Sequence, residues 1–195
     1  MNKSHYNQIQ TLIEGNPILS GFDLYYLGFF SHHVPELTFE NSFKHIGNIV
    51  NLHIDGLMTN EEKIEFLIRM LAKKVNLSNL KINYPGTDNN EEETKKILSD
   101  YFSSVMKILP DYEKIKKFDL FYLGHFHAIC PSYAIDELFQ HIDNINTMLQ
   151  EDLIDEETHI DFLLKILNKK IKDNKGKDSF LNIPLTKEKA SESSQ

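Results

Sequence analysis

A stretch near residue 22 returns near residue 118, and no other feature of the chain constrains its fold as tightly. Phe22-Asp23-Leu24-Tyr25-Tyr26-Leu27-Gly28 is answered 96 residues later by Phe118-Asp119-Leu120-Phe121-Tyr122-Leu123-Gly124. The same offset runs without a gap to Val75 and Ile171, and 21 of the 54 aligned positions are identical. A period of this size predicts one supersecondary unit written twice.

Each unit reads as four helices, and no strand pattern competes. Apolar residues at Tyr6, Ile9, Leu12 and Ile13 predict a first amphipathic helix, opened by Ser4 and closed at Gly15-Asn16-Pro17. Ser20 and Asp23 have capping-box spacing for a second helix, which is apolar on nearly every side and so belongs at the centre of a bundle. Gly28 costs that helix about 1 kcal/mol of propensity. Its return at Gly124 predicts a close helix crossing there. Thr38 opens a third helix, Asp55-Gly56 turns the chain, and Thr59 to Glu62 caps a fourth with Ile64, Leu67, Ile68, Leu71 and Val75 inside. The second unit repeats the order: a helix from Glu91, the second signature copy stopping before Pro131, a seventh helix through Leu138, Ile142 and Ile145, and an eighth capped by Asp155.

The expected fold is therefore all-α: two tandem four-helix repeats packed as a pseudo-two-fold bundle. Repeat 1 spans 1–76, a turn-rich linker 77–90, repeat 2 91–172, and a mostly disordered tail 173–195 with an apolar island at Ser179 to Leu185. One repeat alone is marginal in size for an independent core, so two copies gain by burying faces against each other as a homodimer does. A tandem arrangement without symmetry fits the same pattern. The chain is expected to be a monomeric pseudo-dimer or a weak homo-oligomer.

Composition narrows the function classes. The net charge of −8 over 195 residues disfavours nucleic acid and anionic membranes as main partners, and permits a basic protein partner. No apolar run reaches the roughly 18 residues of a membrane span. Met1 to Tyr6 lacks the apolar core of a signal peptide, and Cys130 is the sole cysteine; both lead to the expectation of a reducing, cytoplasmic address. No phosphate-cradling glycine loop, nucleophile elbow or His-Glu-x-x-His helix occurs, and no cofactor is implied.

Three groups of residues remain as candidate sites. His127 and Cys130 stand three apart on one helix, a spacing that suits two metal ligands if another element completes the set; partly buried histidines in an aromatic core explain the same pattern. His45 and Asn48 return as His141 and Asn144, as a groove or partner contact built from both repeats, as structural hydrogen bonds to a neighbouring loop, or as an inheritance from a recent duplication with no later role. Glu151, Asp152, Asp155, Glu156 and Glu157 gather where the eighth helix begins, beyond what a helix N-terminus asks of its acids. They form either a solvated acidic face or a surface that steers a basic partner. Asp23 and Asp119 read as caps, and Tyr26 and Tyr122 as core residues with tied hydroxyls.

The alternation of an aromatic-rich helix with a Leu-rich helix ending in Lys-Lys resembles, in pattern, several all-helical bacterial immunity and adaptor proteins, although no motif in it assigns a family. The leading expectation is a non-enzymatic protein-binding module: an acidic inhibitor or immunity-type protein that occludes a site on a toxin or effector. The alternative is a helical small-ligand or metal-binding protein with a site between the repeats.

Overall fold

The computed structural model describes residues 1–77, 91–112, 115–130 and 134–173. Leu77 and Asp173, expected to begin the linker and the tail, end helices instead. The rest of the linker and tail lies outside these residues, as do Pro131 and the side chains of Val75 and Ile171. Among the described residues there are eight α-helices and no strand: α1 (Lys3–Glu14), α2 (Gly21–His33), α3 (Phe39–Ile54), α4 (Asn60–Leu77), α5 (Glu91–Ile108), α6 (Lys117–Ile129), α7 (Ile135–Gln150) and α8 (Glu156–Asp173). A single 3-10 turn, Leu109–Asp111, follows α5 where Pro110 removes a helical donor. None of the described helices is long and apolar enough to cross a membrane.

Local chemistry explains most helix ends. Ser20 and Asp23 close a capping box on α2, with the Ser20 N–H donating to Asp23 Oδ2 at 2.9 Å. Thr59 and Glu62 exchange the corresponding bonds at the start of α4, at 2.8 and 3.1 Å. Thr38 and Asp155 cap α3 and α8. The first helix differs from expectation. Asn2, not Ser4, is its cap and accepts from the His5 N–H at 3.0 Å, because asparagine caps as well as serine and lets the helix begin earlier.

The core is built on α2 and α6. Every residue from Phe22 to Phe30 is buried, as is every one from Phe118 to Gly124. The two helices cross backbone on backbone. A Cβ placed on Gly28 would stand 1.9 Å from the Phe121 carbonyl oxygen, and one on Gly124 would stand 1.9 Å from that of Tyr25. Aromatic contacts then run from the first four helices to the last four. Phe43 of α3 stacks on Phe121 of α6 at 5.8 Å, and Phe139 of α7 lies 6.2 Å from Tyr25 of α2. Tyr6 of α1 meets Phe118 at 3.9 Å, while Phe102 of α5 meets Phe22 at 5.7 Å. Rings of this size each bury enough apolar area to contribute about 1.5–3 kcal/mol.

The crossing sets opposite outcomes for three glycines in helix interiors. Gly28→Ala and Gly124→Ala gain about 1 kcal/mol of helix propensity but force two backbones apart, so each is expected to destabilise by at least about 2 kcal/mol in urea unfolding. Gly47→Ala on α3 meets nothing nearer than Asn16 Oδ1 at 3.6 Å, an ordinary contact, and is expected to stabilise by about 0.5–1 kcal/mol.

Candidate functional site

Among the described residues, three sets of buried polar side chains bond to one another. Asp23, besides capping α2, lies 3.0 Å from Lys63 Nζ of α4, with both side chains at least 95% buried. The Tyr26 hydroxyl donates to the Leu67 carbonyl at 2.8 Å, tying α2 to the same helix. Ninety-six residues on, the Tyr122 hydroxyl donates to the Leu163 carbonyl at 2.5 Å. Asp119 is served differently from Asp23. Its Oδ2 accepts from the Lys116 N–H at 3.1 Å and from Asn146 Nδ2 at 2.9 Å. Asn146 Oδ1 in turn accepts from His159 Nε2 at 2.7 Å, which places the imidazole 3.8 Å from Asp119 Oδ1. Burial raises the Asp119 carboxyl above its usual range and lowers the His159 imidazole. His159 and Lys63 occupy matching positions 96 apart, as do Asn146 and Val50.

The third group sits beside the central crossing. The Tyr25 hydroxyl bonds to the Tyr101 hydroxyl and to His127 Nδ1, the latter at 2.5 Å. His127 is fully enclosed, and desolvation pushes it down to about 3. Its Nε2 is buried without a hydrogen-bond partner. Nearby, His125 is also pushed down to about 3, chiefly by desolvation. Cys130 is buried at the end of α6, where its N–H closes the last turn on the Phe126 carbonyl at 2.8 Å. With Nδ1 committed to Tyr25, only Nε2 of His127 remains for a metal. Among the described residues, no three His, Cys, Asp or Glu side chains gather in a metal-holding arrangement.

The remaining candidate residues lie on the surface. His45, Asn48, His141 and Asn144 are all exposed, on α3 and α7. His45 Nε2 rests 3.2 Å from Met70 Sδ. Asn48 lines an open groove of about 310 Å³ with Asn16, Asn51 and Phe43, formed by residues from α1 to α3. The buried polar residue on α7 is Asn146, two positions beyond the one singled out by repetition. Repetition hides it, because its counterpart is Val50. The available signal was an amide standing beside Ile142 and Ile145 on the buried stripe of α7.

The acidic run surrounds the α7–α8 turn, and its members differ. Asp155 is the cap of α8 and accepts from the Thr158 N–H at 2.7 Å; the Thr158 side chain first, and then this N–H, hold its carboxyl below the usual range. Glu156 meets Lys116 at 2.7 Å, and Glu157 meets Lys3 at 2.9 Å. Glu151 and Asp152 stand exposed in the turn itself, Asp152 in the left-handed region with φ 55°. Between these acids rises Leu153, 65% exposed, with Phe162 and Met148 also exposed. The α3–α4 turn carries a similar set: Leu57 is 75% exposed, beside Leu52, Ile54 and Phe66. Phe66 falls off the stripe of Ile64, Leu67, Ile68 and Leu71, and that misplacement, with its return as Phe162, was its mark in the sequence.

No family model matches the chain, and neither the curated proteins nor the solved structures yield a match.

Burial of His127 has a pH consequence. Its folded pKa of about 3 lies below the ordinary histidine value near 6.5. Between those values the unfolded chain binds more protons, so this contribution is whole above about pH 6.5 and is lost as pH falls toward 3. His127→Gln keeps an acceptor for Tyr25 but does not titrate. Urea unfolding at pH 7.5, 5.5 and 4.5 is expected to show the stability gap between the two proteins narrowing, or reversing, as pH falls.

Proposed function

We propose that the protein is a non-enzymatic, acidic protein-binding module of the inhibitor or immunity type, which covers a basic site on a toxin or effector protein. The observation that carries this is Leu153, a large aliphatic side chain 65% exposed among five acidic residues. Exposed acids attract and orient a cationic surface at long range, whereas affinity comes mainly from desolvated apolar anchors. The α7–α8 turn offers both within a few residues. Glu151 and Asp152 are the acids best placed to act, since Glu156 and Glu157 already face lysines of the same chain and Asp155 holds a helix end.

We also infer that the first and last four helices are two copies of one unit, packed about an approximate two-fold axis through the Gly28 and Gly124 crossing. Support comes from contacts that exchange under the 96-residue offset: Gly28 on Phe121 with Gly124 on Tyr25, and Phe43 on Phe121 with Phe139 on Tyr25. The small-ligand alternative draws on the groove beside Asn16, Asn48 and Asn51, within the first unit. A thermal-shift screen in which Asn48→Ala abolished a ligand's effect would favour it.

The test of the leading function is affinity capture from the native host, with wild-type protein and a Glu151→Lys, Leu153→Ser double variant side by side. One basic protein is expected on the wild type, released by salt and bound at least tenfold more weakly by the variant. Equal binding by the variant would remove the α7–α8 turn from the mechanism.

A further inference from the structure

The α3–α4 turn repeats the features that make the α7–α8 turn a candidate surface. Both are built the same way: the Leu57 N–H reaches the Leu52 carbonyl at 2.9 Å, and the Leu153 N–H reaches that of Met148 at 2.9 Å. Gly56 and Asp152, one residue before each leucine, share the left-handed backbone, at φ 72° and 55°. This closure brings an apolar residue near the last helical turn and so accounts for Leu52 with Leu57, and for Met148 with Leu153. It does not account for Phe66 and Phe162, which lie two turns into the following helices and are 46% and 40% exposed.

Most of the apolar core also repeats, but two interior positions around the buried aspartates differ. Between the copies the partner of the buried aspartate changes from Lys63 to His159, and Val50 changes to Asn146. Leu57 and Phe66, 75% and 46% exposed, recur as Leu153 and Phe162. Packing within the chain supplies no reason for the exposed part of these side chains. A surface that receives the same apolar side chains twice does.

Charge selects the occupant. Asp55, Glu61 and Glu65 beside the first turn match Glu151, Glu157 and Asp161 beside the second. Glu65 faces Arg69 and Lys95, and Glu157 and Asp161 face Lys3, so Asp55, Glu61 and Glu151 are the exposed acids that a partner would meet first. A second copy of this chain would set acid against acid around each contact, on a molecule of net charge −8. A cationic segment meets no such repulsion. At the first turn, Leu57, Met58, Phe66, Glu62, Glu65 and Arg69 line an open groove of about 270 Å³, with an apolar floor and a mainly acidic rim. It lies below the usual size of a drug-like pocket and suits a side chain or two.

We propose that the α3–α4 turn is a second docking surface equivalent to the α7–α8 turn, so that one chain takes two copies of the same basic, apolar-tipped protein segment. This rests on the protein-binding function above and adds its stoichiometry and the chemistry of its partner. Two linked sites of this kind favour a partner that presents its segment twice, because the second contact forms at high effective concentration.

The test uses the full chain and two synthetic 18-residue helical peptides, one of leucine and lysine and one of leucine and glutamate with the same spacing. Calorimetry is expected to give two Leu/Lys peptides per chain, with affinity falling at least tenfold between 50 and 300 mM salt, and no binding of the Leu/Glu peptide. Amide NMR shifts are expected around Leu57 and Phe66 and around Leu153 and Phe162. Leu57→Ser with Phe66→Ser, and Leu153→Ser with Phe162→Ser, are each expected to leave one site. Leu57→Ser alone serves as a milder variant that keeps helix α4 intact. One peptide per chain with shifts only at the α7–α8 turn would overturn the second site and leave the protein-binding function standing. Two other results would refute the proposal: peptide shifts away from both turns, or a dimer in sedimentation that Leu57→Ser dissolves. No binding of either peptide would count against both proposals.

Discussion

The direct contact between the backbones of α2 and α6 governs how the rest of the chain can be arranged. Gly28 and Gly124 let the carbonyl oxygens of Phe121 and Tyr25 stand where any larger residue would place its Cβ. That proximity leaves both helices without a solvent face, which explains why each is apolar around its whole circumference. The other helices then have only the flanks of this pair to cover. Phe43 and Phe139, Tyr6 and Phe102 do so from opposite directions, each set reaching across from one group of four helices to the central helix of the other. Neither group completes an aromatic core alone.

Polar groups inside this core follow the rule that burial demands a partner. Asp23 and Asp119 begin as helix caps and become interior anions because the helices they cap are central. Lys63 answers one across an ion pair of 3.0 Å. Asn146 and His159 answer the other through a hydrogen-bonded pair. The first solution depends on an ion pair whose lone partner would be strongly destabilising. The second runs through an imidazole that burial holds toward its neutral form. Tyr25, Tyr101 and His127 add a third buried chain, beside the crossing, where a neutral histidine is also required.

Outside the core, the two helix-to-helix turns that lie farthest along the pattern, α3–α4 and α7–α8, present leucine and phenylalanine to water among acidic residues. Single exposed apolar side chains are common on soluble proteins and need no account. Here they occur as matched sets within a shared turn geometry, and that is what gives them weight. The acids around them are not equivalent: some hold helix ends, some face lysines, and Glu151 and Asp152 do neither in the contacts described.

Much of the architecture was legible in the residues themselves. Helical periodicity, proline and glycine stops, and the Ser20, Thr38, Thr59 and Asp155 caps act over three or four residues, so they placed the eight helices to within a residue or two at most ends. The close approach at Gly28 and Gly124 was readable as well, since a glycine inside an otherwise apolar helix has few other uses. Tyr26 and Tyr122 read from the sequence as core residues with tied hydroxyls, and each hydroxyl bonds a helix carbonyl, of Leu67 and Leu163. What the sequence could not state was which helix each flank meets. The partnership of Asn146 with Asp119, 27 residues away, and of His127 with Tyr25, 102 away, depends on how helices cross in space, and no local pattern encodes a crossing. The division of the acidic run into capping, paired and exposed members was hidden for the same reason: Lys3 and Lys116 are distant along the chain and become neighbours of Glu157 and Glu156 only once the bundle has closed.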